Sequence, residues 1–315
     1  MKNCILIHPE ELNIKWIDRL VDSGIGVLGL HPVGGKNQIE SLKNLTILLK
    51  DKSFLKLIDY AKSKNLDVEY EIHSAGFLLD REYFNTNPEY FQLNEKGERV
   101  KDINFCVSSN ALEIATQNAL NLAKNLYGNS DYYCLWLDDG EAINCKCDRC
   151  KELSSSDQQL IFLNSLIKKL KKFNPNAKLA YLAYGNTLDL PTKVKPEEGI
   201  FLEYAPFHKW TTSVLGNDTQ LPLAQKEVDM VKPLLEFFGK KNSRVLEYWL
   251  DNSLFSRWKK PPKQLFLDGD KIKREVSYYK ELGFEQISVF GCFLGEDYED
   301  LYGEPDIKPL ADALR

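Results

Sequence analysis

Residues 67–73 read Asp67-Val68-Glu69-Tyr70-Glu71-Ile72-His73. Polar and apolar residues alternate without a break, and side chains alternate faces along a strand. One face therefore carries Val68, Tyr70 and Ile72, and the other carries Glu69, Glu71 and His73. An apolar face needs a hydrophobic layer to cover it, so the acidic face must look the other way. Seven further short β-rich runs punctuate the chain: Cys4–His8, Gly26–His31, Tyr132–Asp138, Lys178–Tyr184, Gly199–Tyr204, Arg244–Leu250 and Gln286–Gly291. Amphipathic segments separate them. Strands alternating with helices imply parallel βαβ units. Eight such units predict an α/β fold, a single (β/α)8 TIM barrel over residues 1–315, with Glu69, Glu71 and His73 pointing inward.

Two of the intervening helices have readable starts. Ser156 and Gln159 suit a capping box, followed by Leu163, Leu166, Ile167, Leu170 and Phe173 at helical spacing and a stop at Pro175. A second helix opens at Asn110, with Glu113 completing its box and Leu112, Ala115, Ala119, Leu122 and Leu126 on one face. The longest loops, residues 74–109 and 205–222, follow strands three and six, where a barrel builds its site.

A formal charge of −5 gives no basic face for nucleic acid. No apolar run reaches the ~20 residues that span a bilayer, and the first apolar run is too short for a signal peptide. These readings predict a cytoplasmic chain with no nucleic-acid or membrane partner. Nothing in the sequence signals an oligomeric state. Seven cysteines, an odd number, argue against a secreted disulfide framework.

Chemistry in a barrel gathers at the C-terminal ends of its strands. His8 and His31 end the first two runs, His73 the third, and Asp138-Asp139-Gly140-Glu141 the fourth. Tyr184 ends the fifth. Glu203-Tyr204 end the sixth, with His208 beyond, and Glu247-Tyr248-Trp249 followed by Asp251 end the seventh. The eighth leads to Glu296. All four histidines of the chain fall at or just after a strand end. Buried carboxylates are costly unless paired, so several on inward faces suggest use. Glycoside hydrolysis needs such a set, with one acid protonated toward the leaving oxygen and another ionised. Trp136, Tyr184, Tyr204, Trp210, Tyr248 and Trp249 supply aromatic faces for sugar rings. For the acids alone, the alternative is a structural ion network with Arg244 or a histidine.

Cys145-Lys146-Cys147-Asp148-Arg149-Cys150 follows the Asp138-Asp139 pair in one loop. Three thiols at this spacing suit one tetrahedral zinc, with Cys106 as the fourth ligand and a structural role. Reduced thiols in a tight loop, or a disulfide from Cys106 to Cys147 or Cys150, are the alternatives. No organic cofactor is expected.

Three stretches resemble a known family: Glu71-Ile72-His73 leading to Asn87-Pro88-Glu89-Tyr90-Phe91 and Gly97-Glu98-Arg99; Asn104-Phe105-Cys106-Val107-Ser108-Ser109-Asn110; and Asp138-Asp139-Gly140 with Cys145, Cys147 and Cys150. The chain resembles the domain of unknown function 4838 family, related to glycoside hydrolase family 163. Characterised members there are endo-β-N-acetylglucosaminidases on (β/α)8 barrels. Asp139 stands at the family's more regular Asp, whereas Asp138 stands where many members have Asn. The neighbouring acids also resemble those of substrate-assisted hexosaminidases. The resulting expectation is hydrolysis of a β-linked amino sugar or short oligosaccharide. Asp139 is the acid/base, Asp138 assists or orients, and Glu247 or Glu71 is the second carboxylate. His73 and Tyr184 position substrate, with His8, His31, Trp136, Glu203, Tyr204, Trp249 and Glu296 as further contacts. A metal-dependent isomerase or hydrolase using His8, His31 and His73, and a non-catalytic carbohydrate-binding barrel, are the competing readings.

Overall fold

A computed structural model describes residues 2–102, 104–139, 144–215 and 218–315. Eight strands form a closed barrel in chain order: β1 (Cys4–Ile7), β2 (Val27–Leu30), β3 (Asp67–His73), β4 (Tyr132–Trp136), β5 (Lys178–Ala183), β6 (Ile200–Tyr204), β7 (Arg244–Glu247) and β8 (Gln286–Phe290). Each predicted run contains one of these strands. Runs such as Cys-Ile-Leu-Ile are buried on both faces, as parallel strands under helices must be. Among the described residues no helix is long and apolar enough to cross a membrane.

The chain divides into two compact units. The first holds residues 1–31, 52–69 and 202–315. In it β1 pairs in parallel with β2 (Cys4 beside Val27) and β8 (Cys4 beside Ser288), and β7 pairs with β6 and β8. Its interior includes an ion pair. Arg244, 0% exposed, donates from Nη1 to Glu69 Oε2 at 2.6 Å. Glu69 is therefore spent on Arg244, as the ion-network explanation anticipated.

The second unit holds residues 32–51 and 70–201. There β3 pairs with β4 (Glu71 beside Cys134, His73 beside Trp136) and β4 with β5. The helix Ser155–Phe173 and its cap lie two residues earlier than expected from a cap at Ser156. Ser154 is the cap: its Oγ accepts from Asp157 N at 3.0 Å, and Asp157 accepts from Ser154 N. Ser156 and Gln159 instead donate to the Asp189 and Leu182 carbonyls of the chain around β5. An ionised Asp at the third helical position outbids a neutral Gln, both as acceptor and against the helix dipole. The other helix does span Ala111–Asn125, but Asn110 makes no side-chain cap. Ser109 Oγ accepts from Ala111 N, and Glu113 is drawn into an ion pair with Lys169 at 2.6 Å.

Asp157 also accepts from the amides of Thr192, Lys193 and Val194. Burial works to raise its pKa, but the Lys193 amide, the Ser154 hydroxyl and the remaining donors outweigh it and hold the carboxyl below its ordinary value. A carboxylate depressed in the fold stabilises it above the unfolded-state pKa, and that stability is lost as pH falls through the folded value. Asp157→Ala is expected to lower stability at pH 7 by about 1–3 kcal/mol through loss of the cap and the loop amides. The gap between variant and parent should close in acid. Urea melts at pH 7 and below pH 4 check this; a gap that stays constant would show that the charge is irrelevant.

Candidate active site

In the second unit, β3 and β4 end side by side. His73 Nδ1–H donates to the Leu137 carbonyl at 2.7 Å, which fixes its tautomer, and the ring sits edge-on to Trp136 at 5.0 Å. β4 stops at Trp136, two residues short of the expected Asp138, because Asp138 is taken up by other partners. It is 4% exposed and accepts from the backbone amides of Gly76 (2.6 Å) and Asn104. Asn104 Oδ1 in turn accepts from Asp138 N at 3.0 Å. Burial raises the Asp138 pKa, opposed by the amides and by Arg81 and His73. A Cβ at Gly76 would lie 2.8 Å from Asp138 Oδ2, so only glycine permits this approach.

Asp139 is different. It is half-buried, its amide donates to Gln38 Oε1 at 3.1 Å, and its carboxylate has no hydrogen-bond partner among the described residues. A Cβ at Gly34 would come within 3.3 Å of both Asp139 Oδ2 and His73 Cδ2. Gly34 thus leaves an opening that the carboxylate and the imidazole share. One acid is locked and its neighbour is available. Gly140 and Glu141 lie outside the described residues. Glu71 lies 0% exposed within β3, and Tyr184 is part-exposed after β5, at the cap of the Gly185–Thr187 turn.

In the first unit the strand ends carry a run of rings. His8 Nδ1–H donates to the His31 carbonyl at 2.9 Å, and the two imidazoles stack with centroids 6.2 Å apart. The run continues through Phe290 (4.9 Å from His31), Tyr248 (5.2 Å) and Phe207 (5.2 Å). Burial pushes the His8 pKa down, so it is neutral at pH 7. Phe290 and Phe207 were not singled out in the sequence, because a Phe at a strand end looks like any core residue.

Glu247, Trp249 and Tyr204 depart from expectation. Glu247, 0% exposed, meets Lys209 Nζ at 2.7 Å and the hydroxyl of Tyr279, a residue of the helix Gly269–Leu282. Trp249 Nε1 donates to Glu275 of the same helix at 2.6 Å. Both side chains face the helical layer. The expected set Glu247, Trp249, Asp251 assumed a strand running to Leu250, but β7 ends at Glu247 and a turn follows, with Asp251 N donating to the Tyr248 carbonyl. Within β7, Glu247 lies three residues from Arg244 and so on the opposite face. Tyr204 also turns to a helix, its hydroxyl donating to the Glu227 carbonyl at 2.8 Å. Trp210 packs edge-on against Phe255 and is buried. Glu203 is buried in β6, and Glu296 is exposed in the first turn of the helix Glu296–Tyr302.

Burial raises the Glu247 pKa, against Lys209, and two further acids of this unit are also raised. Burial pushes Glu11 up to about 7, against Lys260 and the Phe293 amide, which donates to Glu11 Oε1 at 3.0 Å. Burial likewise raises Asp251 to about 6 despite bonds from Ser253, whose helix it caps. Glu11 follows β1 by four residues and was not singled out, since exposure cannot be read from Pro-Glu-Glu.

The four cysteines of the second unit come together. All Sγ atoms of Cys106, Cys145, Cys147 and Cys150 lie within 4.8 Å of one another, and Cys106 is 3.7 Å from Cys147 and 3.8 Å from Cys150. All seven cysteines are free thiols, so the disulfide alternative is not what forms. A tetrahedral zinc with ~2.3 Å bonds places its sulfurs about 3.8 Å apart. The donor set and spacing fit such an ion.

Comparison with solved structures gives the same architecture. The chain is similar to PbGH5A, a glycoside hydrolase family 5 enzyme from Prevotella bryantii, at 11% identity and a TM-score of 0.53, covering 95% of this chain and 84% of that one. It is similar to a cold-adapted β-galactosidase from Rahnella sp. R3 at 12% identity and TM-score 0.57, covering 100% of this chain and 55% of that one. A β-galactosidase from Marinomonas ef1 gives 12% and 0.54, over 92% and 54%. The chain thus spans about half the length of these two β-galactosidases. At such identities the likeness establishes the barrel and nothing finer. No curated protein matched the sequence. The model of one family, described as a domain of unknown function (DUF4838), matches residues 46–286. This is most of the barrel, and the chain belongs to that family.

Proposed function

We propose that this protein is a glycoside hydrolase acting on a β-linked amino sugar or a short oligosaccharide. The observation that carries the reading is the contrast between two adjacent acids after β4: Asp138 held by two main-chain amides, Asp139 open beside His73 and Gly34. Asp139, protonated, gives its proton to the glycosidic oxygen as the bond to C1 breaks, and then takes a proton from the attacking water. Asp138 fixes the loop that presents it. In a substrate-assisted course the sugar's own acetamido oxygen closes on C1, and water then opens that ring. That course fits the amino-sugar reading: of the two expected second carboxylates, Glu247 is bonded to Tyr279 of a surrounding helix, which leaves Glu71, buried within β3. Among the described residues no histidine joins a metal-binding group. Assay of a panel of aryl glycosides with parent and Asp139→Asn tests the proposal and separates it from a purely sugar-binding barrel.

The four thiolates are proposed to hold one structural zinc. Metal analysis should find about one equivalent per chain, lost in Cys150→Ser. Chelation should lower the melting temperature of the parent and leave that of the variant unchanged. A metal-free parent with the same melting curve before and after chelation would remove the zinc.

A further inference from the structure

The segment after β7 reads Arg257-Trp258-Lys259-Lys260-Pro261-Pro262-Lys263-Gln264-Leu265-Phe266. It has four cations and no acid in a chain whose formal charge is −5. Trp258 is 64% exposed and Phe266 79%, a costly display for two large aromatic side chains. The backbone beneath them is firmly tied. Trp258 N donates to the Ser253 carbonyl (2.7 Å), Lys263 N to Ser256 Oγ (2.9 Å) and Leu265 N to the Tyr298 hydroxyl (3.2 Å). Asn252 Nδ2 donates to the Lys263 carbonyl at 2.9 Å. Arg257 and Trp258 both adopt left-handed backbone, with φ of 53° and 54°, which bulky side chains rarely do. Such strain persists where surrounding bonds impose it, and it is common at ligand-binding segments.

The charges on this loop are mostly unspent. Lys260 pairs with Asp297 and lies over the Phe293 ring at 4.0 Å, and Phe293 stands edge-on to His8. The loop therefore adjoins the ring-lined strand ends of its own unit. Arg257, Lys259 and Lys263 have no carboxylate partner among the described residues. Exposed aromatic faces stack on sugar rings, and guanidinium and ammonium groups beside them bind carboxylate or sulfate.

We infer that the 257–266 loop binds an acidic glycan, one bearing uronate carboxylates or sulfate esters. This rests on the hydrolase reading for the ligand being a carbohydrate. Titration calorimetry on Asp139→Asn, in which turnover is expected to be lost, tests it with a uronate oligosaccharide, a sulfated one and a neutral one of equal length. At low salt the acidic ligands should bind about tenfold tighter than the neutral one, and the advantage should fade as salt shortens the reach of the charges. Comparing uronate with sulfate tells which anion is preferred. The triple variant Arg257→Gln, Lys259→Gln, Lys263→Gln should erase the preference while leaving neutral binding intact. Trp258→Ala with Phe266→Ala should weaken all three ligands about tenfold. Neither set should change turnover of small aryl glycosides by the parent background.

Equal affinity for acidic and neutral ligands, or a preference surviving the triple variant, overturns the inference. So does duplex DNA binding as tightly through the same cations, or a dimer in sedimentation that Trp258→Ala disperses. Acidic-glycan preference in a parent that hydrolyses no glycoside would instead refute the hydrolase reading and leave this one standing.

Discussion

Asp139→Asn is expected to reduce hydrolysis of an aryl N-acetyl-β-glucosaminide by at least about a thousandfold in kcat, with KM little changed. A positioned acid contributes roughly 10²–10⁴-fold to such a reaction, and its loss falls on the transition state rather than on binding. The folded protein should survive the change, because the carboxylate has no hydrogen-bond partner to lose among the described residues and its amide bond to Gln38 is retained. A near-parental melting temperature together with lost turnover is the combination to look for. Substrates with very good leaving groups should be less affected, since they need less protonation. Unaltered turnover in Asp139→Asn would end the assignment.

The second large effect is on folding. Arg244→Met should destabilise the chain by about 3–5 kcal/mol, because it removes the guanidinium that is bonded to the Glu69 carboxylate in the interior. Arg244→Met combined with Glu69→Leu should recover part of that loss, since the two opposite charges of this pair are then removed together. Urea unfolding of the single and double variants decides it. A double variant no better than Arg244→Met would show that packing around the guanidinium, and not the broken ion pair with Glu69, carries the effect.

The sequence was most legible where burial on both faces dictates composition. Parallel barrel strands must be short apolar runs, so all eight could be found, and their order around the barrel followed. Strand ends were less legible. Whether Glu247 faces inward depends on one residue of phase and on where β7 stops, and a turn at Tyr248–Asp251 broke the alternation that the reading relied on. The acid pair after β4 was visible as a pair. Which of the two is locked depended on Gly76 and Asn104, from a different loop. The convergence of Cys106 on the other three thiols was legible from loop adjacency. The raised pKa of Glu11 was not, because its cause is burial, which the local sequence does not show.

The reciprocal bonds between Asn104 and Asp138 have a consequence for anyone redesigning this scaffold. Asn104 sits two residues from Cys106, so one short peptide is fastened at one end to the sulfur cluster and at the other to the β4 acid. Residues 104–106 therefore behave as a single rivet. Shortening or grafting the loop after β3 while sparing both aspartates would still shift them, and loop exchange in this family has to carry that tripeptide across whole.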